Sequence, residues 1–220
     1  MHITYETVKQ SVEIRTYITQ ADASLIALGY TEHSFAHVTR CAEVAGDLLA
    51  ELGYDEHQIE LCKIAAYMHD IGNVVNRHDH AISGATMAFR ILDKMGMEPA
   101  DVAAVITAIG HHDDSTAFPV NAVAAALILA DKTDVRRSRV RNKDMATFDI
   151  HDRVNYSVER SEVLLDVPGR TVTLSLSINT QVCAVMDYFE IFLQRMLLCR
   201  RAAEALELKF RLEINGQILL

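Results

Sequence analysis

The stretch AAYMHDIGN, residues 65–73, constrains this chain more than any other. Ala65, Ala66, Tyr67 and Met68 form an apolar, helix-like run. It ends on an imidazole and a carboxylate side by side, His69 and Asp70. Buried without partners, both groups are costly. A fold that drives this helix into a core must therefore bring compensating groups to its end.

The surrounding chain is helical in pattern. Apolar positions step by three and four at Val8, Val12, Ile18, Ala21, Leu25 and Leu28, which predicts an amphipathic helix over residues 4–28. Val38, Cys41, Ala45, Leu48 and Leu52 repeat the pattern, and Gly53 is a natural stop. Asp55 and Gln58 form a capping-box pair for the helix that ends at His69. Residues 73–79 are polar and predict a loop. Ile82, Ala85, Phe89, Leu92 and Met95 mark the next helix, closed by Gly96. Pro99 suits the first turn of another, with Val102, Val105, Ile106 and Ile109 on its face. Asn121 can cap the run AVAAALILADKTDV.

The period changes after about residue 145. Val172, Leu174, Leu176 and Ile178 alternate with Thr and Ser, the mark of a half-buried strand. NYSVERSEVLLD is its expected partner across a VPGR turn. Residues 180–206 return to helix, LKFRLEI alternates again, and Asn215-Gly216 is a hairpin-type turn. The expected architecture is mainly α: a helical bundle over residues 1–145, then a small C-terminal α+β (ββαβ) appendage over 146–220.

The 220 residues are half apolar, enough for a real core, and carry a formal charge of −9. That balance argues against general nucleic-acid binding but leaves room for a local anion site. No apolar run approaches the roughly 20 residues that span a bilayer, and the first residues do not read as a signal peptide. The expectation is a cytoplasmic protein without membrane contact. Cys41, Cys62, Cys183 and Cys199 lack CxxC spacing and read as buried thiols.

The polar groups that interrupt the helices are of metal-ligand type. His37 flanks an apolar face, His69 and Asp70 end a helix, and His80 begins one. His111 and His112 follow Gly110, and Asp131 follows the run AALILA. A cluster of imidazoles and carboxylates is what a divalent metal site needs, and a 2+ ion makes desolvated carboxylates tolerable.

The order His, His-Asp, His, His-His, Asp over about residues 30–140 resembles the HD-domain superfamily of metal-dependent phosphohydrolases. The resemblance rests on EHSFAHVTR, YMHDIGN, HAISGA, IGHHDDS and LADKTD. It implies His37, His69, Asp70 and Asp131 as ligands of one ion. His80, His111 and His112 are similar to the extra set of two-metal branches, with Asp70 bridging. The ions would be two of Fe, Mn, Zn, Co or Mg. His33, one turn before His37, sits where some relatives place a carboxylate for a third metal; the alternative is a helix-cap region. Two features depart from the pattern. Asn73 stands where relatives often carry lysine, with Arg77 close by as a substitute. The tyrosine-proline signature of cyclic-dinucleotide-cleaving relatives is absent, so that substrate is not expected.

The implied chemistry is hydrolysis of a nucleotide-like or other small phosphoester by attack of metal-bound hydroxide, with Asp113 or Asp114 as candidate general base. Arg77, Lys132, Arg136 and Arg137 are the candidate substrate-binding cations. The alternatives are an HD-type di-iron oxygenase and a regulatory HD module. His151-Asp152 is a second His-Asp dipeptide; it is expected to cap or pair on a loop. The edges of a small sheet suggest a homodimer through the C-terminal part.

Overall fold

The computed structural model describes residues 3–220. Helices α1 (Tyr5–Gln10), α2 (Val12–Ala27), α3 (Phe35–Glu51), α4 (Glu56–Met68), α5 (His80–Lys94), α6 (Pro99–Gly110) and α7 (Ala122–Lys132) build the bundle. A single 3₁₀ turn, Ile71–Val74, follows α4. After two more 3₁₀ turns come α8 (Ile150–Ser157), β1 (Val158–Asp166), β2 (Thr171–Ile178), α9 (Val185–Ala205), β3 (Lys209–Ile214) and β4 (Gln217–Ile218).

The helix boundaries follow local chemistry. The Asp55 side chain accepts from the Gln58 amide at 2.8 Å, and Asn121 accepts from the Ala124 amide at 2.8 Å. Gly53 and Gly96 close their helices at φ +82°, where a side chain would strain the backbone. α7 has Val123 to Ala130 buried on every side and packs against α3, α4, α6 and α9. It is the axle of the bundle.

Four expectations are corrected. The N-terminal helix breaks at Ser11, which ends α1 and caps α2 by accepting from the Ile14 amide. Val12 consequently faces solvent, 79 % exposed. Ile82 and Phe89 also lie on the exposed side of α5 rather than in the core. Residues 155–157, expected to start a strand, instead end a helix over 150–157: Asp149 caps it by accepting from the Asp152 amide at 2.8 Å, and Asn155 donates back to the His151 carbonyl at 2.9 Å.

The C-terminal sheet has the order β1-β2-β3-β4. β1 and β2 form an antiparallel hairpin, α9 carries the chain over to β3 in parallel with β2, and β4 adds a fourth strand. Asn215 and Gly216, at φ 52° and 80°, make the final tight turn. Val172, Leu174 and Leu176 bury one face of the sheet with Phe210, Leu212 and Ile214. The buried apolar side chains form one cluster from Ile3 to Ile214, continuous across residue 145.

Candidate metal centre

Five segments deliver polar side chains to one place. His37 lies in the first turn of α3, His69 caps the end of α4, and Asp70 starts the 3₁₀ turn. His80 begins α5, His112 follows the end of α6, and Asp131 lies in the last turn of α7. His37, His69, Asp70, His80 and His112 are all buried.

Each imidazole is oriented by its Nδ1. His69 Nδ1 lies 2.7 Å from the Ala66 carbonyl, His80 Nδ1 3.0 Å from the Arg77 carbonyl, and His112 Nδ1 2.6 Å from the Ile109 carbonyl. A carbonyl only accepts, so these three Nδ1 atoms carry hydrogen. For His69 and His112 the acceptor is a carbonyl of the last helical turn, which has no partner within its helix. His37 Nδ1 donates to Asp134 Oδ2 at 2.7 Å. The four Nε2 atoms therefore point inward.

Two donor groups result. His37 Nε2 lies 3.3 Å from Asp131 Oδ1 and 3.7 Å from Asp70 Oδ2; His69 Nε2 lies 3.8 Å and 3.4 Å from the same oxygens. On the other side, His80 Nε2 is 3.6 Å and His112 Nε2 4.0 Å from Asp70 Oδ1. The two oxygens of Asp70 thus face different imidazole pairs. His80 Nε2 and His112 Nε2 approach within 3.1 Å, two lone-pair atoms face to face. The buried His69 Nε2 and Asp70 Oδ2 have no hydrogen-bond partner. Such orphans are rare in interiors, and their chemistry fits a divalent cation. One donor atom each from His37, Cys41, His69 and Asp131, and one each from His69, Asp70 and His112, lie within 4.8 Å of one another in their two groups. Burial, with Asp131 and Asp134 nearby, pushes the Cys41 thiol up.

The electrostatics agree. Burial opposes ionisation of Asp70 and Asp131, but His69 beside the first and Lys132 beside the second hold both well below the usual carboxylate range. Burial pushes His112 down to about 3, helped by His69 and Lys132, and lowers His80. Burial also acts to lower His69, yet Asp70 and Asp131 prevail and raise it. The acids demand positive charge, which a proton on His69 or a metal ion supplies.

Asn73 does not contribute a cation. Its amide nitrogen donates to Asp70 Oδ1 at 2.8 Å and its oxygen accepts from Arg77 Nη1 at 3.2 Å. Arg77 comes within 4.0 Å of Asp70 Oδ1. His33 precedes α3 instead of lying on it, with Ser34 as the cap. Its ring still stacks edge-on with His37 at 5.4 Å.

A cavity of about 320 Å³ opens on the cluster. Asp70, His80, His112 and Asp131 line it, as do His33, Arg77 and Lys132. His111, Asp113, Asp114, Arg136 and Arg137 do not. His111 caps α6 and is not drawn into the donor groups. Asp113 Oδ1 lies 3.8 Å from His80 Nδ1, and its other oxygen accepts from the Ser115 hydroxyl. Asp114 is held between Lys132 Nζ at 3.1 Å and Arg195 Nε at 2.8 Å. Arg136 pairs with Glu32 and Asp134, and Arg137 with the Tyr156 carbonyl and Glu159. Both are spent on the fold, because the 3₁₀ turn at Arg137–Arg139 folds the basic run back on itself.

Six participants lie outside the set expected from the sequence. Asp134 orients His37; its only signal was a second acid three residues after Asp131. Arg195 and Phe192 reach the cavity from α9, and α8 brings His151, Asp152 and Asn155. Nothing in the local sequence links those helices to the cluster.

The HD domain profile matches residues 34–190. This chain belongs to the HD domain family. The matched span contains every residue of both HD donor groups. Three proteins are similar to it. The ribonuclease Y of Cutibacterium acnes is 28 % identical over 162 residues, covering 72 % of this chain and 27 % of the relative. The ribonuclease Y of Thermobifida fusca is 34 % identical over 119 residues, 51 % of this chain and 22 % of the relative. An uncharacterized protein of Methanocaldococcus jannaschii is 26 % identical over 182 residues, 72 % of this chain and 70 % of the relative. The HD chain described here thus spans about a quarter of the two ribonucleases.

Proposed function

We propose that this HD protein is a divalent-metal-dependent phosphohydrolase acting on a small, nucleotide-like or similar phosphorylated molecule. One observation carries the reading: the orphaned Asp70 carboxylate, with His80, His112 and Asp131, shares its cavity with the basic side chains Arg77, Lys132 and Arg195. Guanidinium groups match phosphate oxygens in geometry and charge. Arg77 and Arg195 are each partly exposed and keep N–H groups free for a ligand. The ribonuclease relatives act, by name, on a polymer joined by phosphodiesters, which supports phosphoester chemistry. The cavity volume and the charge of −9 favour a small ligand over a long polynucleotide.

In this reading His37, His69, Asp70 and Asp131 hold one ion and Asp70, His80 and His112 a second, drawn from Fe, Mn, Zn, Co or Mg. Bound there, the ions supply positive charge for the phosphate and an acidified water. The protein's own part is preorganisation. The Nδ1 bonds fix each ring, Asp70 divides its oxygens between the two groups, and Asp114 steadies Lys132 and Arg195 at the cavity wall. Asp113 is the candidate to accept the water proton, since one oxygen stays available near His80.

Elemental analysis followed by a phosphomonoester and nucleotide panel tests the reading. Asp70→Ala is expected to lose bound metal and phosphoester cleavage together; full metal content with full activity would overturn the assignment. Iron-dependent dioxygen uptake without phosphate release would replace it with the di-iron oxygenase. We also propose a cytoplasmic homodimer joined through the C-terminal sheet, since the edges of a small sheet can pair with a second copy; a monomeric mass in solution would remove the dimer. Among the described residues, no helix is long and apolar enough to cross a membrane.

A further inference from the structure

His151, carried in the first turn of α8, lines the same cavity as Asp70 and Asp131. Its ring is exposed, and no described residue bonds it. The cluster and the basic wall account for the phosphate end of a ligand. They leave the far oxygen of the scissile bond without a proton source, and an alkoxide leaves poorly unless it is protonated.

The other proton-bearing groups of the cavity already have protein partners. Lys132 Nζ is held by Asp131 at 2.7 Å and Asp114 at 3.1 Å. His33 spends its Nδ1 hydrogen on the Thr31 carbonyl at 2.7 Å. His80 and His112 spend theirs on helix carbonyls. Guanidinium groups do not release protons in proteins. Tyr30, beneath Arg77, carries a phenol that gives up its proton far less readily than an imidazolium. Histidine is the side chain whose ordinary charge change lies near neutrality, and of the cavity's imidazoles only that of His151 is unbonded.

We propose that His151 is the general acid that protonates the leaving oxygen of the phosphoester, an assignment that rests on the phosphohydrolase reading. In this step the water oxygen bonds to phosphorus and the ester P–O bond breaks. The bonding pair goes to the leaving oxygen, which takes the ring proton of His151. The attacking water gives its proton to the candidate base Asp113, which releases it to solvent, and the neutral imidazole regains one from solvent. No oxidant or reductant is involved. The role assigns a use to the dipeptide His151-Asp152, which the metal centre does not employ. α8 places it: the Asp149 cap fixes the first turn, and Asn142 Nδ2 donates to Asp152 Oδ2 at 3.3 Å.

Leaving-group dependence tests this. Phenyl phosphate and 4-nitrophenyl phosphate are similar in size, but phenolate leaves far less readily without a proton. With the metal that gives the wild type its highest rate, His151→Gln is expected to lose roughly 100-fold or more in kcat on phenyl phosphate. It should lose only a few-fold on 4-nitrophenyl phosphate, with metal content unchanged. Added imidazole should restore part of the phenyl phosphate rate in His151→Ala. Equal losses on both esters, or none on either, overturn the proposal and leave the phosphohydrolase reading standing. A wild type that cleaves neither ester, nor their methyl diesters, with any of the five metals brings down the reading and the proposal with it.

Discussion

Asp134 orients the ring that Asp131 faces. His37 sits between them, Nδ1 on Asp134 at 2.7 Å and Nε2 toward Asp131 at 3.3 Å. The carboxylate that fixes Nδ1 makes Nε2 the better ligand. Burial works against its charge, but His37 and the guanidinium groups of Arg139 and Arg136 hold Asp134 well below the carboxylate range. Asp134→Asn is expected to weaken metal binding roughly 10- to 100-fold, the usual cost of losing such a partner; a competitive chelator titration reads it. Glu32 gives a pH dependence. Burial alone would raise it, yet the Ser34 hydroxyl, Arg139 and Arg136 lower it from its ordinary 4.5. Its charged form is thus favoured in the folded state. The stability it contributes is present above pH 4.5 and is lost as pH falls through the lowered value. Unfolding curves of the wild type and Glu32→Gln should differ by about 1–3 kcal/mol at neutral pH and converge in acid. A gap that stays constant into acid would exclude this role.

At the scale of elements, the join between α4 and α5 decides the site. Gly72 follows the pair His69-Asp70 closely and lies against the first turn of α5. A Cβ there would meet the His80 carbonyl at 2.0 Å and the Gly84 amide nitrogen at 2.5 Å. Both are backbone atoms and cannot swing aside. The glycine is needed for close approach, not for a left-handed turn, and that approach sets His80 against Asp70. Gly72→Ala should cost ~1–3 kcal/mol of stability through overpacking, and it should loosen metal binding by moving His80. A variant with unchanged unfolding and unchanged metal affinity would refute the contact's importance. The N-terminal helices show the limit of periodicity: Val12 fits the apolar spacing, but the Ser11 cap restarts the helix and rotates it outward. α8 was hidden because its eight residues are short and mostly polar, and its stop signal is the strand that follows at once.

Over the whole molecule, the C-terminal part completes the cavity. α9 packs on α7 and sends Arg195 and Phe192 to the wall, and Arg195 reaches Asp114 on the α6–α7 loop. The loop before α3 is tied across as well: Glu32 and Arg139 exchange backbone and side-chain hydrogen bonds at 2.9 Å. Distant segments therefore close on the candidate metal ligands from two sides. Arg195→Ala is expected to raise KM for a phosphoester roughly tenfold, as for one lost charge-assisted bond, with a smaller change in kcat. Steady-state kinetics on the metal-loaded protein checks this, and an unchanged KM would remove Arg195 from the binding wall.

Legible in the sequence alone were the helical bundle, the small ββαβ appendage at its end, and the list of imidazoles and carboxylates that mark the helices. Periodicity, caps and glycine stops are local, so a linear reading finds them. The residues His37, His69, Asp70, His80, His112 and Asp131 were legible for the same reason: each is a polar group set against an apolar helical pattern. Only the tertiary structure decided how they are divided, with the two oxygens of Asp70 facing different imidazole pairs and His111 left aside. It also decided that Arg136 and Arg137 serve ion pairs and backbone contacts, while Arg195, Phe192 and His151 reach the cavity. Those choices depend on which helices cross and how closely backbones approach, and no spacing along one chain encodes a contact such as that of Arg195 with Asp114, 81 residues apart.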